Sequence, residues 1–292
     1  MSIAVLSDIH GNHMALKTCV DYALVKKVNA FIFLGDYLGE LAYPQKTMQF
    51  LYKLAAAYPC YFVRGNKEDY WISYEKSGET GWKKIDSTTG ALYYSYHQLT
   101  KKDRDFFREL PISQSINPGN NPGMPPLTIC HGSPYKTNEK MLPNQERTFE
   151  ILRESDMSLI LCGHTHIQGK IEKDGKRVLN PGAVGVPLES DGKAQFLILQ
   201  EIEGNWQEEF VSLDYDIDTV VEELQTSGLK QYAPSWCRIT ENLLRKGSPS
   251  HGTVLSRAME LCRLETGDCR WPDIPEKFYE MAIGEMIDSN VG

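Results

Sequence analysis

Five times along the first 166 residues of the chain, an apolar run of strand length ends and a side chain able to ligate a metal follows. Ile3-Ala4-Val5-Leu6 leads into Ser7-Asp8-Ile9-His10, Phe31-Ile32-Phe33-Leu34 into Gly35-Asp36, and Cys60-Tyr61-Phe62-Val63 into Arg64-Gly65-Asn66. Leu127-Thr128-Ile129-Cys130 leads into His131, and Leu159-Ile160-Leu161-Cys162 into Gly163-His164-Thr165-His166. Short apolar runs bounded by turn residues read as buried strands. Met14, Leu16, Val20, Ala23 and Leu24 recur with helical spacing between the first two runs, so strand, helix and strand follow in βαβ order and part of the sheet is parallel. In sheets of this kind, ligand sites form beyond the carboxyl ends of the strands, where the loops converge. Taken singly, each residue is also an ordinary loop start, with Asp8 or Asp36 as a turn acid or helix cap. Taken together, the repetition predicts one shared cluster of Asp8, His10, Asp36, Asn66, His131, His164 and His166.

Helical patterns cover 45–57 and 144–153, and 70–110 is rich in aromatics and helix formers, most of them expected in the core and a few along a substrate pocket. Residues 117–126 form a loop by their Pro and Gly content. Ala194–Glu203 and Trp206–Leu213 pair as strands around a turn at Gly204-Asn205. After about Tyr215 the patterns are helical only: 219–224, 236–244, 253–264 and 276–287. The chain therefore divides into an α/β domain at 1–214 and a helical C-terminal appendage at 215–292.

A mixed set of carboxylates, imidazoles and an amide suits Mn, Fe, Zn or Ni better than Ca or an all-thiolate site. Seven donors are too many for one ion. They suit two ions roughly 3.5–4 Å apart with a bridging carboxylate, an arrangement used for displacement at phosphorus. The formal net charge of −8 argues against a protein that grips polymeric nucleic acid, but leaves room for a small phosphorylated substrate. No run reaches the roughly 20 apolar residues of a membrane span and the N-terminus has no leader pattern, so the expected location is cytoplasmic. The seven cysteines show no C-x-x-C spacing, which argues against a disulfide framework or a thiolate zinc site.

Asp8-x-His10, Gly35-Asp36, Gly65-Asn66, His131-Gly132 and Gly163-His164-Thr165-His166, in this order, resemble the calcineurin-like metallophosphoesterase superfamily. The resemblance covers about residues 1–212. With Asn12, Ser133-Pro134 and Asn180-Pro181-Gly182, it is similar to the small bacterial and archaeal phosphodiesterase-type branch. It implies two packed β-sheets flanked by helices, and two divalent metal ions. Asp8, His10 and His166 would hold the first ion, Asn66, His131 and His164 the second, and Asp36 would bridge them. The implied reaction is attack of a metal-bridging hydroxide on the phosphorus of a small phosphodiester, phosphomonoester or nucleotide.

The sequence departs from this pattern at Lys67, where many members have a histidine that serves the leaving group. Lysine near its ordinary pKa of about 10.4 is a poor proton donor at pH 7, although its charge can steady a leaving oxygen. Lys67 is thus a candidate catalytic residue or an exposed turn lysine. Asn12 and Arg64 are candidates for phosphate contact, with a turn role and an ion pair as their alternatives. Glu68 and Asp69 are expected to start a helix, and His13, His97 and His251 fit no ligand position. The alternative function is a catalytically weak or inactive protein-interaction scaffold with the same fold. The C-terminal helices could support a homo-oligomer, cover the pocket or pack on the sheet.

Overall fold

Strand β1 (Ser2–Leu6) is apolar from Ile3 to Leu6 because both of its faces are covered there. Ile3 and Val5 point to one side and Ala4 and Leu6 to the other, as strand geometry requires, and all four are fully buried. The computed structural model describes residues 1–118 and 125–290 of the chain. In it β1 is the middle of a five-stranded sheet. β2 (Ala30–Phe33) lies parallel beside it, and β3 (Cys60–Phe62) lies parallel beside β2. The right-handed crossovers of such βαβ units need helices. These are α1 (His13–Val25) and α2 (Pro44–Ala57).

The second sheet holds β4 (Ser113–Ile116), β5 (Leu127–Cys130), β6 (Leu159–Leu161), β7 (Gln168–Lys173) and β8 (Lys176–Pro181), in the order β4-β5-β6-β8-β7. β5, β6 and β8 run parallel, and β4 and β7 close the edges antiparallel. The hairpin β9 (Ala194–Ile202) and β10 (Asn205–Leu213) returns to the first sheet, β9 pairing antiparallel with β1. The sheets pack face to face through Ile3, Val5, Ile32 and Leu34 from one and Leu127, Ile129, Leu161 and Leu179 from the other. The outer face of the first sheet is covered by α1, α2, α3 (Asn66–Lys76) and α5 (Lys101–Glu109), through residues such as Leu16, Leu51, Trp71 and Phe107. The outer face of the second is covered by α6 (Glu146–Glu154). The two-sheet sandwich flanked by helices follows the expectation from sequence.

Two strands escaped the sequence pattern. β4 is Ser-Gln-Ser-Ile and β7 is Gln-Gly-Lys-Ile-Glu-Lys, both polar because an edge strand has water on one side and charge there discourages pairing with another chain. α4 (Gly90–Tyr96) falls in the aromatic-rich stretch, and the expected loop at 117–126 falls largely outside the described residues.

Beyond β10 only helices follow: α7 (Ile217–Thr226), α8 (Leu229–Tyr232), α9 (Pro234–Lys246), α10 (His251–Thr266), α11 (Glu276–Met286) and a final turn of 3-10 helix at Asp288–Asn290. Their packing splits in two. Leu224, Leu229 and Leu243 share a buried cluster with Leu41, Tyr94 and Val186 of the sandwich, whereas Val254, Phe278 and Ile283 make a cluster among α9, α10 and α11. Glu276 ties the two together, accepting hydrogen bonds from Ser87 Oγ at 2.6 Å, Ser87 N at 2.9 Å and Ser235 N at 3.2 Å. Among the described residues, no helix is long and apolar enough to cross a membrane.

Candidate metal centre

The loops leaving β1, β2, β3, β5 and β6 converge at one end of the two sheets. Five of the donor residues sit there with positive φ: Asp8 at 54°, His10 at 52°, Asp36 at 52°, His164 at 67° and His166 at 58°. A non-glycine residue in that region is strained, and such strain persists only where surrounding structure over-determines it. Here the restraints are visible. Asp8 N donates to Gly35 O at 3.2 Å and His10 N to Asp36 O at 3.0 Å, so the first two loops are laced together. Glu68, in the first turn of α3, accepts from the backbone N–H groups of Gly65 at 2.8 Å and of Asp36 and Tyr37 at 3.0 Å each, which binds the third loop to the second.

Asp8 is fully buried and uses only one of its oxygens. Its Oδ2 accepts from Ser7 Oγ at 2.6 Å and from His164 N at 2.9 Å. Its Oδ1 has no hydrogen-bond partner, yet it lies 3.1 Å from His166 Nε2, 3.6 Å from His10 Nε2 and 3.9 Å from His131 Nε2. The Asp36 carboxylate spans the gap, with Oδ2 3.7 Å from His10 Nε2 and Oδ1 3.5 Å from His131 Nε2. Two groups of donors therefore converge, Asp8 with His10 and His166, and Asp8 with Asp36 and His131. Asn66 Oδ1 lies 3.1 Å from His131 Nε2, and the His164 ring lies 5.2 Å from the His131 ring, centroid to centroid.

The tautomers follow from the outer side of each ring. His131 Nδ1 donates to Leu34 O at 2.7 Å and His166 Nδ1 to Val186 O at 2.9 Å. A carbonyl only accepts, so the proton sits on Nδ1 and the neutral ring turns its Nε2 lone pair inward. His10 Nδ1 is held by Glu40, giving the carboxylate–histidine arrangement that orients imidazole ligands. The inward space is thus lined by lone pairs and carboxylate oxygens facing one another, with Asp8 Oδ1 orphaned among them. A buried donor set of that composition fits divalent cations.

Without a cation, protons take that place. Burial alone would raise the Asp8 carboxyl, but His166, His131 and His10 hold it well below the usual carboxylate range. Burial lowers His10, yet Glu40, Asp8 and Asp36 outweigh it and push the imidazole up to about 10. His131 likewise rises to about 9 against its own burial, through Asp36 and Asp8. His164 falls to about 4, through burial and the neighbouring His131.

Lys67 does not stand free in a polar turn. Its backbone N–H donates to Asp36 Oδ1 at 2.8 Å, and its ammonium is paired with Glu40, which also holds His10. Asn12 caps α1, accepting from Ala15 N at 3.0 Å and donating to Gly185 O at 3.0 Å. Arg64 is paired with Asp69 at 2.8 Å. His13 pairs with Glu223 of α7 at 2.8 Å, and His97 is exposed beside Tyr93. Glu40 is the residue that the sequence pattern did not mark. It lies in a loop four residues after Asp36 and follows no strand. The appendage also borders the site: Trp236 lines a cleft with Glu40 and Lys67, and His251, stacked on Trp236 with ring centroids 4.6 Å apart, has its imidazole lowered to about 3 by burial.

A two-sheet sandwich with a buried carboxylate and imidazole cluster at its strand ends defines a metal-binding phosphoesterase fold. Residues 1–204 match the calcineurin-like phosphoesterase superfamily domain, and the chain belongs to that superfamily. It is 27% identical over 251 residues to the uncharacterised protein MJ0912 of Methanocaldococcus jannaschii, across 80% of this chain and 94% of that protein. Its fold is similar to that of the hypothetical protein PH1004 from Pyrococcus horikoshii OT3, with a TM-score of 0.70 and 21% identity over 85% of this chain and 99% of the other. It is also similar to that of a metallophosphoesterase from Sphaerobacter thermophilus, with a TM-score of 0.66 and 23% identity over 85% and 99% of the two chains.

Proposed function

We propose that the protein is a metal-dependent hydrolase that holds two divalent cations, of Mn, Fe, Zn or Ni, and cleaves a small phosphodiester, phosphomonoester or nucleotide. The observation that carries this is the inward-facing set of His10, His131 and His166 Nε2 atoms around the orphaned Asp8 Oδ1. Cations bound there supply acidified water and neutralise charge on the phosphoryl oxygens. The chain's own residues do the rest. Asp8, His10 and His166 form one ligand group, Asn66, His131 and His164 form the other, and Asp36 reaches both. Glu40 fixes the orientation of His10, and the Lys67 ammonium adds positive charge beside the site, where charge develops on a leaving oxygen. The substrate is small, and the protein acts in the cytoplasm.

The test is metal analysis of the purified protein, followed by chelation, reloading with each of the four metals, and assay on bis(p-nitrophenyl) phosphate and p-nitrophenyl phosphate. Two ions per chain and metal-restored hydrolysis are expected. A chain that takes up metal but hydrolyses neither ester with any of the four is a scaffold with this fold, not an enzyme.

A further inference from the structure

Two large aromatic side chains lie side by side along clefts that adjoin the site and stay partly in water. Tyr70 of α3 is 37% exposed and Trp271, between α10 and α11, is 42% exposed, with ring centroids 5.9 Å apart and planes tilted by 30°. Tyr70 borders a cleft that reaches the candidate ligand Asn66, and Trp271 borders one that reaches Lys67 and Glu40 beside the donor cluster. One cleft of about 410 Å³ runs from Asn66 past Tyr70 to Tyr135. A smaller one lies between Lys67 and Glu40 on one side and Trp236 and Trp271 on the other. A third, of about 400 Å³, is lined by both Tyr70 and Trp271 and continues along Tyr74 and Trp82. Tyr70 is one helical turn beyond Asn66, so it rises from the same α3 terminus that carries a candidate ligand. Trp271 comes from the appendage, outside the matched superfamily domain.

Leaving two adjacent aromatic faces wet is unfavourable unless something covers them, and flat rings are what such faces bind best. We infer that Tyr70 and Trp271 form a stacking subsite for a flat conjugated ring on the organic part of the phosphoester, as in a nucleoside, and that the C-terminal helices thereby set substrate preference. This rests on the phosphoesterase reading for the identity of the ester group, but the subsite itself is defined by the aromatic pair and its clefts. The exposed position of Trp271 means that its truncation leaves the core filled.

Three esters with one leaving group separate the possibilities in Mn²⁺-loaded protein: thymidine 5′-(p-nitrophenyl) phosphate, bis(p-nitrophenyl) phosphate and methyl p-nitrophenyl phosphate. The ratio of kcat/KM for the thymidine ester to that for the methyl ester is expected to be roughly tenfold or more, the size of one base stacked on an aromatic side chain. It is expected to collapse in Trp271→Ala, to recover in Trp271→Phe, and to stay in a control at the exposed but distant Phe210→Ala. The bis(p-nitrophenyl) ester shows whether a bare ring suffices. Calorimetry with thymidine 5′-monophosphate against methyl phosphate gives the same comparison without turnover. Tighter binding of the nucleotide, lost in Trp271→Ala, upholds the subsite even in a protein that hydrolyses none of the esters, which would overturn only the phosphoesterase reading. Hydrolysis or binding with the same ratio in wild type and Trp271→Ala overturns the subsite and marks the aromatic pair as a surface for something else.

Discussion

His10 and His166, 156 residues apart in the chain, face each other Nε2 to Nε2 at 3.2 Å while the Nδ1 of each is held by an acceptor, Glu40 for His10 and Val186 O for His166. With both outer nitrogens protonated, two neutral rings would oppose lone pair to lone pair, and a cation between them resolves the opposition. Asp8→Asn and His10→Ala are therefore expected to lose bound metal and turnover together while the far-ultraviolet circular dichroism stays that of the wild type. Retention of both ions in either variant would refute the ligand assignment.

Protons compete for the same place, which sets a pH dependence. His10 and His131 have pKa values raised from the ordinary imidazole range to about 10 and about 9 in the cation-free protein. For a group raised on folding, the stabilisation is fully present below its unfolded pKa, about 6.5, and is lost as pH rises through the folded value. Chelated protein should lose stability between about pH 6.5 and 10. Divalent metal should bind more tightly across that same window, releasing close to two protons per chain near pH 7.5. Calorimetry in buffers of different ionisation enthalpy measures the release, and metal uptake without proton release would contradict it.

Glu40 acts through His10, so its removal should weaken the site without deleting a ligand. Glu40→Gln is expected to cost about 10–100-fold in metal affinity or activity, the usual effect of losing an outer partner of a ligating histidine. Because Lys67 is held by the same carboxylate, Lys67→Ala should lower turnover on alkyl phosphate esters more than on nitrophenyl esters, whose leaving oxygen needs little help. Equal loss on both classes would remove Lys67 from the leaving-group role.

Gly163 lets two loops touch. A Cβ there would lie 1.9 Å from Ser7 Oγ and 2.6 Å from Asp8 Oδ2, both fixed parts of the site. Gly163→Ala is expected to push Asp8 out of position and lower metal affinity strongly. Dialysis against a metal-buffered solution, read by metal analysis, would show it.

Among the ties between the appendage and the sandwich is the Glu276 carboxylate, which accepts from Ser87 and Ser235. Glu276→Ala removes the acceptor of Ser87 and Ser235, and hydrogen bonds to a charged group contribute about 1.5–3 kcal/mol. A drop of that order in urea-induced unfolding is expected, and an unchanged midpoint would show that the apolar contacts of α7 and α9 suffice.

β1, β2, β5 and β6 were legible because burial made them continuous apolar runs, β3 was legible as an apolar run although it is a partly buried edge strand, and a donor at a strand's end stands out against such a run. The edge strands β4 and β7 were not, since half of their surroundings is water. Glu40 was invisible for a related reason: an acid within a loop has no local pattern, and only the fold brings it against His10 and Lys67. Lys67 and Arg64 show the same limit from the other side. Arg64 was open between a phosphate contact and an ion pair, and Lys67 between a leaving-group role and an exposed turn lysine; the structure pairs Arg64 with Asp69 and Lys67 with Glu40.

The amino-acid sequence by itself determined the alternation of strands and helices, the kinds of donor and their places at strand ends, because backbone hydrogen bonding and burial act over a few residues at a time. Only the tertiary structure decided which lone pairs face one another, which donors take left-handed backbone, and that Trp271 stands beside Tyr70. Those relations depend on how two sheets and a set of terminal helices pack, and packing is a property of surfaces brought together from distant parts of the chain.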